Sequence, residues 1–194
     1  MAEEFKSSYG VLFQNLKDRD LSTPKIIISD AHSGLVSAIR ASFPGASWQR
    51  CKVHFMRNIL AYVPQKEKRS FAAVLKEIWL APTAELARKR AYEVIDFYAK
   101  RFPKAVQCLE AGLEDSLAFY AFPMLDARKI SSSNMIERLN REIRRRTGVV
   151  GIFPNESSYV RLVTTYLMEY AEDWSVSKAY LSRESIAATL LVAA

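Results

Sequence analysis

The chain has 194 residues, of which 49% are hydrophobic and 25% charged, enough apolar material for a buried core and too much for a disordered tail. No segment reaches the roughly eighteen uncharged apolar residues that a membrane-spanning helix needs. The net charge of +7 favours a polyanionic partner, nucleic acid rather than a membrane. The N-terminus carries no secretory signal and the two cysteines make no disulfide framework, so we expect a cytoplasmic protein.

A helix and then a small parallel unit are predicted near the N-terminus. Residues 5–16 carry apolar side chains at helical spacing. The β-branched run Ile26-Ile27-Ile28 predicts a strand over 25–29 that is buried on both faces. A helix over 33–43 and a second strand over 47–53 follow. A strand, a helix and a strand this close in sequence form a parallel unit with a right-handed crossover.

An all-helical block comes next, because strand signals disappear after residue 55 and helical periodicity takes over. Prolines separate its helices, which are predicted at 55–63, 65–80, 83–101, 103–112 and 115–120. Two more helices are predicted at 134–146, where Thr147-Gly148 is a stop signal, and at 155–174, with Asn155 as the cap. We therefore predict an α/β fold that is mostly helical.

Charge is concentrated on the predicted helix at 134–146. Its five arginines are Arg138, Arg141, Arg144, Arg145 and Arg146. At about 100° per residue, Glu137 shares one face with Arg141 and Arg144. The ordinary explanation is a solvated helix in which Glu137 pairs with Arg141. The surplus of positive charge instead favours a phosphate backbone, to which arginine binds bidentately.

Three side chains at the ends of the predicted strands could carry chemistry. Asp30 follows the first strand, where parallel sheets place functional groups, although local sequence favours a simple cap for the next helix. Cys51 and His54 have C-x-x-H spacing at the end of the second strand, but two ligands do not fill a zinc site and the chain has only one other cysteine and one other histidine. We prefer a buried thiol beside a histidine that orients a neighbouring acid. A nucleophile and base pair is the alternative.

Trp79 ends a predicted helix in the all-helical block. One interpretation is a core tryptophan. The other is an exposed ring that stacks on an unpaired or flipped base.

Three blocks of the sequence, at 28–35, 43–58 and 134–155, resemble the Mutator-type transposases of bacterial insertion sequences. They occur in the family's order around a helical segment of suitable length, and the resemblance runs from about residue 5 to residue 174. It implies a partial RNase H-like fold with a large helical insertion and a DDE triad, in which two aspartates and a glutamate hold two Mg²⁺ or Mn²⁺ ions. One metal activates the attacking water or 3′-hydroxyl, and the other stabilises the leaving oxygen.

The resemblance also assigns roles to single residues. Asp30 becomes the second aspartate and Glu137 the glutamate, both catalytic and metal-binding. Cys51 and His54 match the C-x-x-H signature that supports the active site, and Trp79 corresponds to a tryptophan near the DNA end. The implied partners are double-stranded DNA, as terminal inverted repeats and target, and further copies of the full-length transposase, with no membrane.

The same resemblance suggests how the chain is divided. The parts are a partial RNase H-like core at 1–57, the helical insertion at 58–126, C-terminal helices of the core at 127–176 and a tail at 177–194. The family's first aspartate precedes the helix at 5–16, and Asp18 and Asp20 cannot replace it. We expect a C-terminal part of a transposase that lacks three strands and that aspartate, exposes a sheet edge and has little or no activity alone.

Three functions follow from the sequence. The leading hypothesis is a DDE transposase that hydrolyses and transesterifies DNA at transposon ends with Mg²⁺. The alternative is a catalytically inactive DNA-binding remnant or regulator, which binds those ends through the arginines of 141–146. A generic RNase H-like nuclease would cleave DNA without preferring transposon ends.

Overall fold

The computed structural model describes residues 2–176 and 179–192. Its elements in chain order are α1 Ala2–Asp18, β1 Ile26–Ser29, α2 Ser33–Ser42, β2 Ser47–Arg50, α3 Lys52–Leu60, α4 Lys68–Trp79, α5 Ala84–Tyr98, α6 Pro103–Leu117, α7 Ala127–Ile130, α8 Asn134–Val150, α9 Glu156–Val176 and α10 Arg183–Val192, with 3₁₀ helices at Gln65–Glu67 and Ala118–Ala121. The described chain is therefore mostly helical, as predicted. None of its described helices is long and apolar enough to cross a membrane.

The chain divides into two compact units. The first holds Met1–Pro123 with Ile130–Ser133, and the second holds Met124–Lys129 with Asn134–Ala194. The four-part division expected from the family resemblance stays a prediction. Part of its tail, at 177–178 and 193–194, lies outside the described residues.

The sheet of the first unit has two parallel strands among the described residues. Their register pairs Ile26 with Ser47 and Ser29 with Arg50, which confirms the predicted parallel unit. The prediction that β1 is buried on both faces was wrong, because its three isoleucines are only half-buried and the elements packed on the sheet do not cover both faces fully.

The second strand is shorter than predicted, because its residues after Arg50 belong to a helix. The Cys51 N–H donates to the Ser29 carbonyl oxygen at 2.7 Å, beyond the end of the strand ladder. The Cys51 carbonyl oxygen then accepts from the Phe55 N–H at 2.9 Å, so α3 begins at Lys52. The turn at Cys51 thus ends β2 and starts α3.

The all-helical block packs into the same unit as the strands. Its buried side chains recur at helical spacing, with Phe71, Leu75 and Ile78 of α4 at most 1% exposed. The prediction that a helix ends at Gly112 was wrong, because α6 continues to Leu117. A glycine inside a helix costs only about 1 kcal/mol relative to alanine, which packing can offset.

One buried amide links β2 to the end of α6. The Gln49 side chain is fully buried. Its Nε2 donates to the carbonyl oxygens of Arg50 at 2.7 Å and Ser116 at 2.9 Å, and its Oε1 accepts from the Phe119 N–H at 2.7 Å. An unpaired buried amide would be costly, so these bonds hold the helical block on the strand.

The second unit is built around α8 and α9. The helix α8 does not stop at Thr147-Gly148, as predicted, but runs to Val150. It ends before Gly151, whose φ of +74° is the left-handed conformation that favours glycine after a helix. The predicted cap of α9 is confirmed, since Asn155 Oδ1 accepts from the Ser158 N–H at 2.9 Å.

Candidate active site and nucleic-acid interface

Asp30 follows β1 at the carboxyl end of the sheet and its side chain is exposed. The cap of α2 is His32, whose Nδ1 accepts from the Leu35 N–H at 3.4 Å, so the capping role favoured for Asp30 was wrong. Asp30 Oδ1 accepts from the His32 N–H at 3.4 Å. The carboxylate is thus directed by the turn and remains accessible to solvent.

The backbone that carries Asp30 is fixed by its neighbour. Ser29 Oγ donates to the Asp30 carbonyl oxygen at 2.7 Å and accepts from Trp48 Nε1 at 2.9 Å. Both bonds lie at the end of the two paired strands. A rigid strand end is the kind of support that a catalytic carboxylate needs.

Cys51 and His54 lie at the same end of the sheet, at the start of α3. The Cys51 thiol is fully buried, and its Sγ accepts from the Ser133 N–H and Oγ, both at 3.3 Å. His54 is half-buried and its Nδ1 is a buried nitrogen. The first unit therefore brings Asp30, Cys51 and His54 to one region, in which the thiol contacts a serine.

Metal-ligating side chains do not cluster in the described part of the chain. Among residues 2–176 and 179–192, no group of three or more His, Cys, Asp and Glu side chains could hold a metal ion. Asp30 lies in the first unit and Glu137 in the second. The two carboxylates therefore belong to different units of the chain.

Glu137 lies in the first turn of α8, where the partial positive charge of a helix N-terminus favours a carboxylate. Its side chain is half-buried. The five arginines follow it on the same helix, and the structure separates them into two groups.

Arg145 and Arg146 are engaged within the second unit. Arg145 donates to Glu142 through Nη2 at 2.6 Å and Nε at 3.0 Å, and these bonds hold the pKa of the Glu142 carboxyl below its ordinary value. Arg146 Nε lies 3.3 Å from the same carboxylate, and its guanidinium lies 4.2 Å from the ring centre of buried Tyr166. Arg146 therefore helps to pack α8 against α9, while Arg145 is held by Glu142 on its own helix.

Arg138, Arg141 and Arg144 form the other group. All three are exposed, and none makes an ion pair within the described part of the chain. We call these three residues the open arginine face. It presents unneutralised charge beside Glu137, which suits an anionic backbone.

Trp79 is a core residue, and the stacking interpretation does not fit its position. Its side chain is 6% exposed, its Nε1 donates to Ser116 Oγ at 3.0 Å, and its ring meets Phe55 edge-on with centres 6.0 Å apart. Stacking on a base needs an accessible ring face. We therefore place Trp79 in the helical block, where it supports the Gln49 contact through Ser116.

Sequence reasoning missed two polar residues on β2. Gln49 alternates with Cys51 on the buried side of the strand, so a polar residue in a core register was the available signal. Arg50 lies 4.1 Å from the Phe55 ring centre, and burial lowers the pKa of its guanidinium. Ser133, the partner of Cys51, gave no signal because it is 82 residues away in sequence.

Comparisons with known proteins agree on one group. Residues 1–177 match the family model described as "Transposase, Mutator family". The chain is 40% identical, over 90% of its length, to the transposase for insertion sequence element IS256 in transposon Tn4001 of Staphylococcus aureus, of which it covers 45%. It is 41% identical over 89% to the transposase for IS1081 of Mycobacterium tuberculosis, of which it covers 41%. It is 36% identical over 94% to the transposase for ISRM5 of Rhizobium meliloti, of which it covers 46%. The chain thus spans less than half the length of these relatives.

Proposed function

Because the chain belongs to the Mutator family of transposases, we propose that it contributes to DDE-type phosphoryl transfer on DNA at transposon ends. Asp30 and Glu137 are two of the three carboxylates in this proposal, and the two strands with α8 are parts of an RNase H-like core. The observation that supports it is the open arginine face on the same helix as Glu137, because three exposed arginines without an ion pair among the described residues are available to a phosphate backbone.

The carboxylates suit Mg²⁺ or Mn²⁺, since both ions prefer oxygen donors. Asp30 is exposed at the carboxyl end of β1, with one oxygen held near the His32 N–H. When bound, the metal ions would activate the attacking oxygen and stabilise the leaving one. The protein's own part is to hold the carboxylates at fixed points, which the Ser29 contacts do for Asp30.

The open arginine face binds the DNA backbone in this proposal. Arg138, Arg141 and Arg144 follow each other at three-residue spacing, so their guanidinium groups lie along one side of α8. Arg145 pairs with Glu142 within α8 and Arg146 packs on Tyr166 of α9, so these two contribute less, although all five arginines were candidates from the sequence. Phosphate contacts give affinity without base specificity.

The test measures binding to a duplex that carries the terminal repeat of the chain's own insertion sequence, over a range of salt concentrations. We expect Arg141→Ala with Arg144→Ala to weaken binding at least tenfold and to reduce the slope of log K against log salt by about two. Arg145→Ala is the matched control, on the same helix but paired with Glu142, and should change affinity less than threefold. An equal loss in the control would refute the open arginine face.

Glu137→Gln is the second arm of this test. It should abolish divalent-dependent cleavage of the duplex and leave DNA affinity equal or slightly higher, because a negative charge is lost. A loss of affinity as large as that of the double arginine variant would make Glu137 structural. Cleavage that persists in Glu137→Gln would refute a catalytic role for Glu137, and equal cleavage of a scrambled duplex would support a generic nuclease.

A further inference from the structure

We propose that Cys51 is a positioning residue, which joins the end of the Asp30 strand to the residue from which the Glu137 helix starts. This inference rests on the proposed roles of Asp30 and Glu137. It does not use the thiol as a nucleophile or as a metal ligand. The sulfur acts as a buried hydrogen-bond acceptor.

We call the link between the end of the Asp30 strand and Ser133 the junction, and the backbone of Cys51 makes its first half. Its N–H donates to the Ser29 carbonyl oxygen at 2.7 Å, and Ser29 is the residue before Asp30. Cys51 has 0% exposure, so this bond is shielded from water. The position of Cys51 is therefore tied to the strand end that carries Asp30.

The side chain makes the second half. Cys51 Sγ accepts from both the N–H and the Oγ of Ser133, and the next residue, Lys52, donates its N–H to the Ser131 carbonyl oxygen at 3.0 Å. Ser131 is fully buried and Ser132 is 4% exposed, although the three serines are polar. The segment Ile130–Ser133 is thus held as part of the first unit, across a separation of about 80 residues in sequence.

Ser133 immediately precedes Asn134, the first residue of α8, and Glu137 lies one turn further on. Whatever fixes Ser133 therefore fixes the point at which the chain enters that helix. Sulfur is a weak acceptor, but removing it would take this bond from the half-buried Ser133 N–H at a point that the fully buried Cys51 side chain shields from water. The Cys51 sulfur serves here as an acceptor that reaches both polar groups of Ser133 at 3.3 Å.

The first measurement is amide hydrogen exchange at Ser133 in the whole chain. Cys51→Ala should speed exchange at Ser133 by about fivefold to tenfold, as expected for the loss of one hydrogen bond. Cys51→Ser, which keeps an acceptor, should restore at least part of the protection. Cys108→Ala is the matched control, because it removes the other cysteine and should leave Ser133 unchanged. Unchanged exchange in Cys51→Ala would overturn the proposal.

The second measurement is the affinity of the chain for Mn²⁺, which is obtained from the paramagnetic resonance signal of the free ion. Asp30→Asn and Glu137→Gln each should weaken it severalfold, and Cys51→Ala should weaken it as well, with recovery in Cys51→Ser. If the carboxylate variants weaken binding and Cys51→Ala does not, Cys51 is not a positioning residue and the proposed function stands. If neither carboxylate variant changes the affinity for Mn²⁺, the proposed function fails. Amide exchange at Ser133 then shows by itself whether the junction exists.

Discussion

Gly112 lies where α6 passes over the side chains of Arg50 and Phe55. A Cβ built at this residue would overlap the Arg50 guanidinium and come within 2.8 Å of the Phe55 ring. The glycine therefore gives space to an arginine that is packed on an aromatic ring beneath the helix. The reason for a glycine here is the Arg50 side chain on β2, which is distant in sequence. The sequence alone therefore suggested only that Gly112 ends a helix.

Gly112→Ala should destabilise the chain by about 1–3 kcal/mol, because Arg50 or the α6 backbone must move to admit the methyl group. Gly10→Ala is the control, since Gly10 lies in α1 with nothing within 4 Å of the added Cβ. That change should stabilise by about 0.5–1 kcal/mol through helix propensity. Urea unfolding of both variants measures the difference, and equal stabilities would contradict the overlap.

The ends of the elements, rather than their existence, were hard to predict from the sequence. Every strand and most helices were placed by apolar spacing and by proline. Gly112 and Gly148 were both predicted to end helices, yet both lie inside helices, because one glycine lowers helix stability only modestly. The glycine that follows the end of α8 in the left-handed conformation is Gly151. Local sequence cannot distinguish a tolerated glycine from a terminating one, since packing decides between them.

The contact between α5 and α6 includes one ion pair with a predictable pH dependence. Arg88 Nε and Nη2 donate to the two oxygens of Glu114 at 2.8 and 2.9 Å. These hydrogen bonds hold the pKa of the Glu114 carboxyl below its ordinary value. Because the folded-state pKa is depressed, the stabilisation is present above the unfolded pKa of about 4.3 and is lost as pH falls through the folded value.

We expect Arg88→Gln to reduce the fall in unfolding free energy between pH 6 and pH 3. The side chains are 39% and 61% exposed, so the difference should be only about 0.5 kcal/mol. Lys89→Gln removes a neighbouring charge on α5 and should leave the acid dependence as in the unchanged chain. Urea unfolding at each pH measures the effect, and the same acid dependence in both variants would show that the pair is not formed in solution.

At the scale of the whole molecule, the apolar core is concentrated in the first unit. Among the described residues, every buried hydrophobic side chain except Tyr166 belongs to that unit. The second unit exposes large apolar side chains instead, including Val149 and Ile152. Regions with few buried contacts open locally at lower free energy than a packed core.

Amide exchange should therefore be at least about a hundredfold faster in the middle of α9 than in the middle of α4. Both are helices within the same chain, so each serves as the internal reference for the other. Exchange measured by mass spectrometry at several times would give the two rates. Equal protection would mean that the exposed apolar residues of the second unit are covered in solution.

The sequence and its family resemblance put forward Asp30, Glu137 and the arginines as site residues, and their roles stay predictions. They did not separate the open arginine face from Arg145 and Arg146. Part of that separation is local, since both arginines pair with Glu142 on the same helix, and part depends on Tyr166 of α9, which contacts Arg146 and which no local pattern connects to α8. The Cys51 contact with Ser133 has the same origin, since it joins segments that only the folded chain brings together.

The Gln49 amide also acts as a check on strand register. Its two N–H groups and its oxygen match two carbonyl oxygens and one backbone N–H, so a carboxylate of the same shape would place oxygen against oxygen. A shift of β2 by one residue would bring Trp48 or Arg50 to that position and turn every side chain to the opposite face. Neither side chain can reproduce this pattern of donors and acceptor, so the misaligned strand would be rejected by its hydrogen bonds as well as by its hydrophobic pattern.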